Sequence, residues 1–152
     1  MTLAVGQQAP DFVLRDQHGQ SVSLSSFRGQ PVLLVFYPFA FSGVCSGELR
    51  ALRDQWSELA SADVELLAVS CDPVYSLRVF ADSENFAFPL LSDFWPHGEV
   101  ARRYGVFDEA KGSPLRSSYV VDPAGDVRWG VHNAMPEGRD LDEHLKQLQA
   151  LV

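Results

Sequence analysis

One apolar segment constrains the fold of this chain more than any other. Pro31-Val32-Leu33-Leu34-Val35-Phe36-Tyr37 has no polar residue until the tyrosine at its end. A strand with one face in water would alternate apolar and polar residues, so this short unbroken run predicts a central strand covered on both faces. The run is far too short to span a bilayer, and we expect no membrane insertion. The rest of the chain must therefore supply cover for both faces of a sheet.

Extended and helical patterns alternate along the chain. The predicted strands are Phe12–Leu14, Val22–Leu24, Pro31–Tyr37, Val64–Ser70, Phe88–Leu91, Ser118–Val121 and Val127–Val131. The predicted helices are Gly43–Leu59, Val74–Phe86, Glu99–Tyr104 and Leu141–Leu151. This order predicts an α/β, thioredoxin-like fold with a mixed central sheet flanked by helices and an N-terminal β-hairpin extension. We expect residues 1–152 to form a single domain.

Charge and cysteine content exclude several classes of function. The net charge of -8 argues against a nucleic-acid surface, which needs clustered lysine and arginine. The N-terminus has no basic stretch followed by an apolar run, so no secretory signal is expected. The chain has two cysteines, too few for a secreted disulfide framework, and this favours a reducing compartment such as the cytoplasm. Its histidines lack metal-ligand spacing.

Cys45 is the candidate nucleophile. It falls in the first turn of a predicted helix, where free backbone N–H groups and the helix dipole favour a thiolate. Ser42, one helical turn earlier, can bring its hydroxyl beside the sulfur. Each residue also has a structural interpretation, because a lone cysteine often packs as a small hydrophobe and Ser42 could cap the helix.

A thiolate also needs a cation that keeps its charge, and arginine does so. Arg116, just before the strand Ser118–Val121, is the candidate, although it could instead be a solvated loop residue. Cys71 ends a predicted buried strand, so we expect a packing role for it. Glu48 stands where the second cysteine of a Cys-x-x-Cys motif would fall, which argues against a dithiol oxidoreductase.

The pattern Pro38-x-x-x-Ser42-x-x-Cys45 resembles the active-site motif of the peroxiredoxins, in which threonine is usual at the position of Ser42. The resemblance extends over nearly the whole chain. The matching segments are Ala9-Pro10-Asp11-Phe12, Leu90-Leu91-Ser92-Asp93, Tyr104-Gly105-Val106 and Arg116-x-x-Tyr119-Val120-Val121-Asp122. The run from Ser92 to Gly98 is most similar to the alkyl hydroperoxide reductase E branch of one-Cys enzymes.

This resemblance implies a thiol-dependent peroxidase that reduces hydrogen peroxide and organic hydroperoxides. Cys45 would form a sulfenic acid, which a low-molecular-weight thiol or a small redoxin would reduce. Ser42 would replace the motif threonine, Pro38 would shield the pocket, and Arg116 would orient sulfur and peroxide. Glu48 would have a supporting polar role. No metal, haem or flavin is implied, and a peroxide-responsive sensor or holdase is the alternative function.

The aromatic residues of two predicted loops leave their role open. Phe39 and Phe41 precede the Cys45 helix, and Phe94 and Trp95 follow the strand that ends at Leu91. Side chains of this kind either complete a core or form a subunit contact. We expect the protein to be a homodimer.

Overall fold

A computed structural model of the protein describes residues 3–59, 63–133 and 141–151. The strands of its larger sheet are β1 (Val13–Arg15), β2 (Ser21–Ser23), β3 (Val32–Phe36), β4 (Glu65–Ser70), β5 (Leu90–Ser92), β8 (Arg116–Val121) and β9 (Val127–Asn133). A separate short ladder joins β6 (Phe107–Asp108) to β7 (Ser113–Pro114). The helices are α1 (Gly43–Leu59), α2 (Val74–Glu84), α3 (Glu99–Arg103) and α4 (Leu141–Gln149).

The predicted central strand lies at the centre of the sheet. The seven strands are ordered β2-β1-β5-β4-β3-β8-β9. Every residue of β3 is buried. It pairs in parallel with β4 on one side and antiparallel with β8 on the other. The sheet is therefore mixed, and its first two strands form the predicted N-terminal hairpin.

Alternation along β3 divides the core into two layers. Leu33 and Val35 point to one face, where α1, α2 and α4 supply the buried partners. Leu34 and Phe36 point to the other face, which is covered by α3 and by residues near the N-terminus. This arrangement confirms the α/β, thioredoxin-like fold with helices on both faces. None of the described helices is long and apolar enough to cross a membrane.

The predicted boundary of one strand near the expected site was wrong. The sequence places Arg116 in a loop before a strand at Ser118, whereas β8 begins at Arg116 itself. The strand extends because partners are available on both sides. Ser117 pairs with Phe36 of β3 and with His132 of β9. Arg116 is therefore held by the sheet, and its backbone is not free to move as a loop would.

The other boundaries differ by small amounts. α1 has the predicted limits. α2 ends two residues earlier than predicted because Asn85 adopts a left-handed conformation, with φ 57°, and stops the helix. Residues Leu24–Phe27 form a short 3-10 helix in place of the end of a predicted strand. The β6–β7 ladder was not predicted, since two-residue strands carry no periodic signal.

The side chain of Gln17 joins the N-terminal hairpin to β5. Its Nε2 donates to the carbonyl of Phe88 at 3.2 Å, and its Oε1 accepts from the N–H of Leu90 at 2.8 Å. Gln17 is buried, so these bonds satisfy backbone groups that water cannot reach. The side-chain amide of Gln17 thus supplies the hydrogen-bond donor and acceptor that a neighbouring strand would otherwise provide.

Replacing Gln17 by alanine should destabilise the protein. The change leaves the buried N–H of Leu90 without its acceptor, which costs about 1–3 kcal/mol. Urea unfolding followed by circular dichroism would measure the loss. Gln20→Ala is the matched control, because Gln20 lies exposed at the end of the same turn. Equal stability of the two variants would contradict the role given to Gln17.

Candidate active site

The strand-to-helix junction after β3 carries most of the predicted site residues. The N–H of Tyr37 donates to the carbonyl of Val69 at 3.0 Å, which keeps the chain beside β4 for one more residue. Pro38 follows and is buried. The carbonyl of Ser42 then accepts from the N–H of Ser46 at 2.8 Å and opens α1. Ser42 is therefore the N-cap residue, and Cys45 lies in the first helical turn.

Cys45, Arg116 and Glu48 meet beneath this junction. Nη1 of Arg116 lies 3.5 Å from the sulfur of Cys45. The same Nη1 donates to Oε1 of Glu48 in an ion pair. The exposed fractions of Cys45, Arg116 and Glu48 are 1%, 2% and 7%. The structure thus brings Arg116 to a thiol and a carboxylate that lie 71 and 68 residues earlier in the sequence.

Burial makes the charges in this group strongly interdependent. A guanidinium stays charged at any physiological pH, so Arg116 needs a compensating carboxylate in the interior, and Glu48 provides it. Within the described part of the chain, Nε of Arg116 is buried without a hydrogen-bond partner.

Tyr37 lies near the site and was not predicted as part of it. Its side chain is fully buried, and burial raises the pKa of its hydroxyl well above the usual range. The nearby Asp72 carboxylate and Cys45 sulfur act in the same direction, whereas the Ser70 hydroxyl acts against them. The sequence shows Tyr37 only as the last residue of an apolar strand. The sequence did contain one signal for Tyr37. Its hydroxyl is a polar group at the end of an apolar run, directly before the motif proline.

Cys71 lies on the other side of the sheet. Cys45 belongs to the core layer under α1, whereas the sulfur of Cys71 lies beside the backbone N–H of Gly98, which precedes α3. Both thiols are free. Burial raises the pKa of Cys71 to about 12, and the nearby carboxylates of Asp93 and Asp72 act in the same direction. The predicted burial of this cysteine is confirmed.

The loop aromatics are exposed in the structure. Trp95 is 81% exposed, and Phe39, Phe41 and Phe94 are also accessible. A cavity of about 530 Å³ lies beside Phe94 and Trp95, between β1 and the start of α2. Neither Cys45 nor Arg116 lines it. Phe39, Phe41 and Phe94 are thus partly buried, as a partial core role requires, whereas Trp95 is mostly exposed.

In residues 3–59, 63–133 and 141–151, no group of three or more histidine, cysteine, aspartate or glutamate side chains could hold a metal ion. The functional groups beside Cys45 belong to Arg116, Glu48 and Tyr37. Arg116 and Glu48 supply opposite charges beside the sulfur.

The fold is shared with solved structures of known type. The crystal structure of Enterococcus faecalis AhpC superimposes with a TM-score of 0.88 and 33% sequence identity, covering 99% of this chain and 92% of that chain. A thioredoxin-like fold with a buried thiol at a helix start and an arginine against it defines a thiol-dependent peroxidase. The protein is an enzyme of this class.

Sequence comparison identifies the family. The family model described as AhpC/TSA matches residues 5–130, so the chain belongs to the AhpC/TSA family, the peroxiredoxins. The chain is 48% identical over 151 residues to alkyl hydroperoxide reductase E of Mycobacterium tuberculosis strain H37Rv, covering 99% of each protein. It is 37% identical over 153 residues to Peroxiredoxin 2 of Thermoplasma acidophilum, covering 97% of this chain and 75% of the relative. The resemblance found in the motifs is confirmed.

Arg116→Lys should slow oxidation of Cys45 by hydrogen peroxide by about 100-fold or more, the loss expected when a preorganised donor is removed. Lysine keeps a charge but loses the planar guanidinium, whose Nη1 contacts both Glu48 and the sulfur and whose Nε is a second buried donor. Stopped-flow tryptophan fluorescence would give the rate constant. Arg128→Lys is the control, since Arg128 is exposed on β9 and pairs with Asp122. A rate within about threefold of the parent would remove Arg116 from the site.

Proposed function

We propose that this peroxiredoxin reduces hydrogen peroxide and organic hydroperoxides by a one-Cys mechanism centred on Cys45. One observation carries the proposal. The buried guanidinium of Arg116 places Nη1 3.5 Å from the sulfur and leaves Nε without a partner in the described residues. An unsatisfied buried donor is costly, and a peroxide oxygen next to the sulfur would satisfy it.

In the first step, the Cys45 thiolate attacks the terminal oxygen of ROOH. The S–O bond forms as the O–O bond breaks, and the departing oxygen takes a proton to leave as ROH, or as water from hydrogen peroxide. The sulfur is oxidised to a sulfenic acid and the peroxide is reduced. Arg116 stabilises both the thiolate and the charge that develops on the departing oxygen.

The remaining site residues have supporting roles in this proposal. Ser42 lies at the N-cap of α1, and its hydroxyl accepts a proton from the bound peroxide or donates one to it. Serine keeps the hydroxyl of the usual threonine but lacks the methyl group that restricts its rotamer. Buried Pro38 shields the pocket from water, and Glu48 orients the guanidinium of Arg116.

An external thiol completes the cycle. A low-molecular-weight thiol or a small redoxin condenses with the sulfenic acid to form a mixed disulfide and water. A second thiol group then attacks the mixed disulfide. Cys45 is released as a thiol, and the two external thiol groups leave joined to each other as a disulfide. The position of Cys71 supports this route, because its sulfur lies beyond the sheet from Cys45 and its pKa of about 12 keeps it protonated. No cofactor is required.

The matched pair Cys45→Ser and Cys71→Ser tests the mechanism. Cys45→Ser should lose peroxide turnover with dithiothreitol as reductant, because serine is not oxidised by peroxide. Cys71→Ser should keep nearly full turnover. Treatment of the parent protein with one equivalent of hydrogen peroxide should yield Cys45 sulfenic acid, detected by dimedone labelling and peptide mass spectrometry.

Four results would contradict the mechanism. Turnover by Cys45→Ser would exclude Cys45 as the nucleophile. A Cys45–Cys71 peptide under non-reducing conditions would show an internal resolving cysteine, and a disulfide between two chains would show an intersubunit mechanism. Oxidation of Cys45 without thiol-dependent turnover would indicate the sensor or holdase function instead.

We also propose that the protein is a cytoplasmic homodimer. Two free thiols support a reducing compartment. The exposed aromatic residues near the C-terminal ends of the central strands support an interface, since aromatic side chains are enriched in the buried centres of such surfaces. Trp95 and Tyr75, the most exposed of these, both border the cavity beside β1.

Trp95→Glu should weaken the dimer about tenfold or more, because it places a charge where a large aromatic side chain would be buried. Analytical ultracentrifugation over a range of protein concentrations would measure the shift from dimer to monomer. Val5→Glu is the control, an exposed apolar residue near the start of β9. A parent protein that sediments as a monomer, or equal behaviour of the two variants, would contradict this interface.

A further inference from the structure

A carboxylate from the neighbouring strand holds the loop that precedes α1. The N–H of Ala40 donates to Oδ2 of Asp72 at 2.9 Å. Asp72 follows the end of β4, and Ala40 lies between Pro38 and the N-cap Ser42. Ala40 occupies a variable position of the Pro38-x-x-x-Ser42-x-x-Cys45 motif, and Asp72 lies outside the motif. The bond therefore ties the motif loop to a part of the chain that the motif does not include.

Asp72 is itself fixed at several atoms. The Ser70 hydroxyl donates to the same Oδ2 at 2.7 Å, and the N–H of Asp72 donates back to the Ser70 Oγ at 3.3 Å. The Ser92 hydroxyl donates to the Asp72 carbonyl at 2.7 Å. The carboxylate is thus bonded to the end of β4, and the backbone of the same residue is bonded to the end of β5. An acceptor with so little freedom can define the position of a loop.

The loop contains a residue that needs such support. Phe41 has φ 69°, a left-handed conformation that is strained for a residue with a Cβ atom. Its ring packs against Phe80 at a centroid distance of 4.9 Å but remains largely exposed. A strained backbone of this kind persists only when its surroundings fix it. The Ala40–Asp72 bond is the polar contact directly before it.

We propose that Asp72 is a positioning residue for the reaction of Cys45. Its carboxylate holds the loop through the Ala40 N–H, so that Ser42 and the first turn of α1 meet the sulfur and its substrate in one geometry. The inference rests on the proposed role of Cys45 as the nucleophile. It concerns the orientation of the site, because Asp72 does not contact the sulfur.

The charge of Asp72 and the hydrogen bond that its carboxylate accepts can be tested separately. Releasing the loop would slow the reaction, because misplacement of reacting groups by about 1 Å can cost up to about 100-fold. Two substitutions at this position separate the effects. Asp72→Asn keeps an acceptor and removes the charge, whereas Asp72→Ala removes both.

Asp72→Ala should lower the second-order rate constant for oxidation of Cys45 by hydrogen peroxide about tenfold, while Asp72→Asn stays within about threefold of the parent. Alkylation of Cys45 by iodoacetamide should change by less than about threefold in both, because that reaction does not require an oriented peroxide. Stopped-flow fluorescence and mass spectrometry measure the two rates. Ser70→Ala, which releases the carboxylate, provides a second variant if Asp72→Ala does not fold, with an expected loss of about threefold.

Asp93→Ala is the matched control. Asp93 also follows a strand at this edge of the sheet, and its buried carboxylate accepts from the N–H groups of Val100 and Ala101 at 3.1 and 2.9 Å. Its loss should lower the melting temperature without slowing oxidation of Cys45. An oxidation rate of Asp72→Ala equal to the parent, or an equal loss in Asp72→Asn or in Asp93→Ala, would overturn the positioning role. Absence of peroxide turnover in the parent would instead overturn the proposed function.

Discussion

The pairing of β3 with a strand on each side determines where the reactive groups meet. Because β4 runs parallel to β3 and β8 runs antiparallel, the ends of β3 and β4 and the beginning of β8 lie at one edge of the sheet. Cys45, Asp72 and Arg116 are all placed by that edge. A slip of β8 by one residue would turn Arg116 to the opposite face of the sheet. The contact between guanidinium and sulfur therefore depends on the register of a backbone ladder.

A single helical position selects the kind of thiol chemistry. Cys45 and Glu48 are three residues apart in α1 and so share one face of the helix. A cysteine at position 48 would form a dithiol with Cys45, and that dithiol could close to a disulfide. Glu48 at that position instead pairs with Arg116. Removing this carboxylate would leave the Arg116 cation buried without it, at a cost of about 3–5 kcal/mol. The carboxylate makes it possible to keep an arginine beside the thiol.

The sequence indicated the fold and the site where the signal was local. Strong periodicity gave α1 its limits, and the unbroken apolar run placed β3 at the centre of the sheet. Arg116 was found as a candidate, but its position inside β8 required knowledge of partners on two other strands. Pairing of this kind is a property of the sheet, and no pattern within the segment itself reports it.

The contributions of Asp72 and Tyr37 were not predicted, for the same reason. Asp72 stands in an ordinary turn sequence, Asp-Pro, and its bond to Ala40 joins residues 32 positions apart. The sequence predicts Tyr37 only as the last residue of a strand. The folded structure is needed to show that its hydroxyl lies near the Cys45 thiol. Side chains that act through packing and long-range hydrogen bonds leave no periodic pattern.

In the proposed one-Cys mechanism, the position of Cys71 limits how much peroxide each chain can remove without outside help. The sulfur of Cys71 lies beside Gly98, which precedes α3, and burial raises its pKa to about 12, which disfavours its attack on oxidised Cys45. Each chain in this mechanism therefore reduces one molecule of peroxide and then waits for an outside thiol. During a sudden rise in peroxide, the amount removed at once equals the number of reduced chains. Once those chains are oxidised, the supply of reductant alone sets the rate at which more peroxide is removed.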